Sequence, residues 1–184
     1  MTGSVPSGFD LAAQAREQFD EEEIVVRVLK TPHFVRRGRV VSAAFRPRRG
    51  SALLSVIRWL DREAPDRAVK ARCKQIGAGG SGNVYSGVAS LKARSCSSAG
   101  VALEYAPAEY PGHSHIRFPF AIPADEPLEG QRFVEAERIA NILCEEAIHH
   151  ADPDPESDEW TIPSEELPLT RRSDEGEVVS AGAT

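Results

Sequence analysis

Residues 52–60, ALLSVIRWL, leave the chain few ways to fold. Apolar side chains fall on both alternate positions, so a strand here turns apolar groups to both faces of its sheet. Such a strand needs a central place in the sheet and a covering layer on each side. IVVRVLK (24–30) is a second β-branched strand, ended by Pro32. RVVSAAF (39–45), bounded by Gly38 and Pro47, predicts a third. VYSGVASLKA (84–93) predicts a fourth, with VALEY (101–105) pairing against it across an RSCSSAG turn. YPGHSHIRFPFAIP (110–123) is extended and broken by prolines, as an edge strand is.

The covering layers come from helical segments. GQRFVEAERIANILCEEAIHH (130–150) places Phe133, Ala136, Ala140, Leu143 and Ala147 on one stripe, widened by Val134, Ile139, Ile142 and Ile148. Residues 61–75 also predict a helix, with Pro65 in its first turn and Gly77 as its stop. FDLAAQAREQF (9–19) has helical spacing before the acidic DEEE. After His150 the chain turns acidic and rich in Pro and Ser. The expected fold class is α+β, a mixed or antiparallel sheet of about five strands packed against two helices. One domain is expected over 23–150, after an N-terminal segment with a short helix (1–22) and before a disordered acidic tail (151–184).

No apolar run reaches about 18 residues, and MTGSVPSGFD has neither a basic nor an apolar signal region. Cys73, Cys96 and Cys144 are scattered, with no CxxC. These features predict reduced thiols and a cytoplasmic protein with no membrane partner. No metal or other cofactor is expected.

The net charge of −6 hides a strong segregation. From Ile24 to Leu60 there is no Asp or Glu, whereas from Asp152 onward ten acids face only Arg171 and Arg172. Arg36, Arg37 and Arg39 surround one predicted turn, and Arg46, Arg48 and Arg49 surround the next. If both turns share a face, six guanidiniums gather beside His33 and Phe34. Arginine forks suit bidentate contacts to phosphate or carboxylate, so these six are the candidate site for an anionic partner. The acidic tail could shield that face.

His113 and His115 lie two apart, which on a strand puts both rings on one face. With His33 they are the candidate catalytic residues for phosphoester chemistry. Glu104 or His33 could complete a metal set, against the simpler role of turn capping and solvent exposure. His149 and His150 are read as complementing a helix C-terminus.

IGAGGSGNVY (76–85) resembles the glycine-rich loop of protein kinases, with Gly77, Gly79, Gly82 and Val84 in the motif places and Lys92 near that of the strand lysine. The likeness covers about 17 residues. No HRD, DFG or APE follows, and a basic helix precedes the glycines where a kinase has a strand. The stretch therefore reads as a flexible connection, not a kinase loop. His33, SAAF (42–45), Pro47, LSV (54–56), GVASL (87–91) and GHSHI (112–116) together are similar to a loose set of small bacterial proteins with no assigned activity. That resemblance implies a shared fold and carries no residue roles.

The functional expectation is a non-enzymatic accessory protein whose arginine-rich face engages an anionic partner. A protein is expected before nucleic acid, in a setting such as a bacterial or phage conflict system. The alternative is a small enzyme acting on a nucleotide or phosphoester through His33, His113 and His115.

Overall fold

The computed structural model describes residues 18–59, 67–78, 82–106, 108, 112–167, 170–172 and 178–180. Residues 9–17 of the helix expected over 9–19 and the start of the one expected over 61–75 lie outside them, and Gln18 and Phe19 are not helical. The fold is α+β. Its centre is a six-stranded, wholly antiparallel sheet built from β1 (Ile24–Thr31), β4 (Leu53–Arg58), β5 (Val84–Lys92), β6 (Ala102–Tyr105), β7 (His113–Arg117) and β8 (Ile148–Ala151). The spatial order is β6-β7-β4-β1-β5-β8. The short strands β2 (Val35–Arg36) and β3 (Arg39–Val40) form a separate ribbon, as do β9 (Thr170–Arg172) and β10 (Val178–Ser180).

ALLSVIRWL does take a central place, and both sheet faces are covered along β1. On one face Val25, Leu29, Leu54, Val56, Ala89, Leu91 and Ile116 pack under α3 (Gln131–Glu146), through Ala136, Ile139, Ala140 and Leu143. On the other, Val26, Val28, Ile57, Tyr85 and Val88 pack against Cys73 of α1 (Arg67–Gly77) and against Trp59, Ile162 and Leu167. The alternation of Val25 and Leu29 with Val26 and Val28 is the period-two pattern of a strand buried on both faces.

Several local expectations are corrected. SAAF (42–45) is a 3-10 turn rather than strand, with Ala44 and Phe45 driven into the core and its N-terminus at the end of the short β3. RSCSSAG is the helix α2 (Ala93–Ser98). After it, β6 pairs with β7 and not with β5. The GHSHI strand is internal, between β6 and β4, because its Ile116 and Ser114 are buried on the helix side. His149 and His150 belong to β8, so neither caps a helix.

The acidic segment is also not wholly loose. Asp152 is buried and accepts from Lys70 Nζ, Tyr85 Oη (2.8 Å), Thr161 Oγ1 and the Asp154 amide (3.0 Å). Lys70, itself fully buried, also donates to the Asp154 carbonyl at 3.0 Å. This clasp fixes residues 152–167 against α1, and Ile162 and Leu167 complete the core beneath. A buried ion pair is tolerated when its remaining valences are satisfied, as here.

Two glycines are required by packing. Gly87 has φ +134°, and a side chain there would strike the His150 carbonyl and the Asp152 amide where β5 meets β8. Gly77 ends α1 against Tyr85, whose Cα would lie 2.7 Å from an added Cβ. The first glycine of the kinase-like string is thus a close-packing position.

Candidate functional site

The strands β1 and β4 share two register pairs, Val25 with Arg58 and Val26 with Ile57. Beyond these they part. Arg27 reaches across the gap, its Nε donating to the Ala44 carbonyl (2.9 Å) and its Nη1 to the Ser55 carbonyl (2.7 Å). A side chain thus satisfies the Ser55 strand carbonyl that β1 no longer reaches and ties it to the Ala44 carbonyl of the 3-10 turn.

A cleft of about 600 Å3 opens at this parting. Arg27, Val28 and Lys30 of β1 and Leu53, Leu54 and Ser55 of β4 form its floor. Around it stand His33 and Phe34, the Arg46–Arg49 turn, Arg72 and Ile76 of α1, His113 of β7, and Leu128 and Phe133 at the start of α3. Six side chains on this wall carry a fixed positive charge: Arg27, Lys30, Arg46, Arg48, Arg49 and Arg72. No Asp or Glu lines it among the described residues.

The turn holding three of them is well anchored. Pro47 is buried, the Ser51 amide donates to the Arg48 carbonyl (3.0 Å), and the Gly50 amide donates to the Ile122 carbonyl (2.6 Å). Arg46 pairs with Glu137 of α3 and lies over the Phe133 ring at 4.6 Å. Arg49 covers the same ring at 5.6 Å. On the opposite wall, Arg27 and Lys30 each sit 5.1 Å from the Phe34 ring centroid, and His33 lies 4.8 Å from it.

Crowding of like charge marks the site. Burial, reinforced by Arg48 and Arg27, lowers the affinity of the Lys30 amine for its proton. Burial, then Lys30, Arg36 and Arg46, holds the His33 imidazole below its ordinary pKa. A bound anion would favour the charged form of both groups.

The two arginine turns do not act alike. Arg46, Arg48 and Arg49 line the cleft, while Arg36, Arg37 and Arg39 flank the tip of the β2–β3 ribbon, exposed and outside its wall. That tip is a two-residue loop with Arg37 at φ +53° and Gly38 at φ +75°, as a tight hairpin needs. Arg58, at the end of the basic stretch, is absent from the cleft. It makes a buried bidentate pair with Glu23 (2.8 Å for both bonds) and donates to the Gln18 carbonyl. The acidic DEEE run thus neutralises part of the basic stretch, with Glu22 pairing Lys92 and Arg94.

The histidines are split. His113 and His115 share a face, with ring centroids 4.6 Å apart and edge to face. His113 is nearly fully buried, lines the cleft with His33, and donates from Nδ1 to the Ala106 carbonyl at 3.0 Å. His115 does not line it. Glu104, aligned with His115 across the strands, is held by Arg117, which pushes its carboxyl below the usual range. Among the described residues, no three His, Cys, Asp or Glu side chains group as metal ligands.

Sequence reasoning missed Arg27, Lys30 and Arg72 as site residues, and Leu128 and Phe133 as its apolar wall. Arg27 and Lys30 stood in the basic stretch, but their partners are set by where β1 leaves β4, which no local pattern reports. Comparison with known proteins finds no matching family, no similar curated protein and no similar solved structure.

Proposed function

We propose that this is a binding or accessory protein that engages an anionic partner through the cleft between β1 and β4. The observation that carries this reading is the set of six basic side chains around one volume of about 600 Å3, with no acidic residue on the described wall. A volume of that size matches a site for a small molecule or a slender chain segment, and is too confined for a duplex or a folded surface. The anchored Arg46–Arg49 turn supports recognition by preorganised charge, which limits the ordering cost on binding. Titration of the protein with an anionic polymer such as heparin at rising salt tests this. The expected result is an affinity that falls linearly in log–log form with salt. Salt-independent affinity, or no binding at low salt, contradicts it.

A second reading is favoured by His33 and His113 sharing the cleft wall: a phosphoester-cleaving site, with one ring as acid or base and the arginines holding phosphate. Turnover of a generic phosphodiester that is lost in His33→Ala supports it. Binding of phosphate ligands without turnover leaves the accessory role.

A further inference from the structure

We infer that the cleft takes a phosphate chain attached to a flat apolar group, the chemistry of a nucleoside polyphosphate or of a terminal nucleotide. This rests on the anion-binding reading above and narrows it to one ligand class.

The charged part of the argument concerns density. Arg27, Lys30, Arg46, Arg48, Arg49 and Arg72 border one small volume. Arg46 is already paired with Glu137, and a single peptide carboxylate brings only one charge and two oxygens to the cations that remain. A terminal phosphate carries up to about two charges and three acceptor oxygens, and a chain of phosphates multiplies both. Five of the six cations are arginines, whose forks grip phosphate oxygens in pairs. His33 adds a donor whose proton affinity rises once an anion is present.

The second part concerns the wall that charge does not explain. Val28, Leu53, Ile76, Leu128 and Phe133 line the same cleft. Leu128 is 65% exposed, so an apolar side chain stands open to solvent at the rim of a strongly basic site. Bare inorganic phosphate makes no use of it. The Arg46 and Arg49 guanidinium carbons lie 4.6 and 5.6 Å from the Phe133 ring centroid, so planar cations and an aromatic ring gather at the cleft. Such flat groups, on a wall that Leu128 also lines, offer a nucleobase a surface to stack on. Phosphate contacts and a stacking surface thus meet at the same two arginines.

The test is calorimetric titration at low salt with ATP, GTP and UTP, tripolyphosphate, a 5′-phosphorylated hexanucleotide, the same hexanucleotide with a 5′-hydroxyl, and hexaglutamate. Binding of a nucleoside triphosphate or of the phosphorylated hexanucleotide at least ten-fold tighter than tripolyphosphate is expected. The two arms then separate a free nucleotide from a nucleic-acid end. Arg48→Ala should weaken nucleotide and tripolyphosphate alike, by about ten-fold. Leu128→Ser, at an exposed position that the fold does not need, should weaken only the nucleotide. Equal affinity for tripolyphosphate, or tighter binding of hexaglutamate, overturns this inference and leaves the anion-binding reading standing. Absence of binding to every probe overturns both.

Discussion

Arg58 and Arg48 come from the same acid-free stretch and have opposite fates. Arg58 is buried against Glu23 and stacks on Phe19 at 4.4 Å, so its charge is consumed by the fold. Arg48 stands exposed on an anchored turn at the cleft. Glu23→Gln should therefore cost about 3–5 kcal/mol, because it strands a buried guanidinium. Glu135→Gln, at the exposed and solvent-screened pair with Arg138, should leave stability nearly unchanged. Urea unfolding of both variants checks the contrast. His33 gives a pH signature. Its pKa is lowered in the free protein, so protonation opposes the native state as pH falls below about 6.5. A bound anion reverses that preference. Affinity for an anion should rise as pH falls through about 6.5 and below, toward the lowered pKa of the free protein, and His33→Ala should flatten the rise. An unchanged slope in His33→Ala would remove His33 from the site.

The elements show where patterns along the chain suffice and where they fail. The Asp152 clasp predicts that Asp152→Asn destabilises the fold by several kcal/mol, since Lys70 then keeps its charge in the core. Burial works against the Asp152 carboxylate, but the bonds from Lys70, Thr161, Tyr85 and the Asp154 amide outweigh it and depress its pKa. Its contribution is complete above the unfolded pKa of about 4 and is lost as pH falls through the lower folded value. Acid titration of stability should show this component in the wild type and lack it in Asp152→Asn. Gly87→Ala should cost more than about 1 kcal/mol, from its φ of +134° and the approach of β8. Amide exchange should localise the damage to β5 and β8. The strands at 24–30, 52–60 and 84–93 and the long helix were legible because burial stamps a period on their residues. SAAF was not, because its small residues satisfy strand and 3-10 geometry alike and the contact of Phe45 with the core decides. Residues 152–167 read as solvated because their acids outnumber their apolar residues. Ile162, Leu167 and Trp160 pack onto the core there, and the ion pairs from Lys70 to Asp152 and Lys74 to Asp158 help dock the segment.

At the scale of the whole molecule, the proposed cleft sits at an opening in the sheet. Two central strands part past Val26, a side chain bridges the gap, and basic residues from β1, the Arg46–Arg49 turn and α1 surround the opening. From sequence alone the basic stretch carries only the expectation of an anionic partner. The choice between its two arginine turns awaited the third dimension, since a one-residue change in a turn redirects every side chain after it. Among the described residues, no helix is long and apolar enough to cross a membrane. The most direct measurement compares anion affinity in two multiple variants. Arg48→Ala with Arg49→Ala removes cleft charge, and Arg36→Ala with Arg37→Ala and Arg39→Ala removes a larger charge from the ribbon. A cleft-based site predicts a loss of about a hundred-fold in the first variant, from roughly 1–2 kcal/mol per contact, and only a few-fold loss in the second. A greater loss in the ribbon variant would show that affinity follows net charge or the hairpin tip, and would contradict the cleft as the binding site.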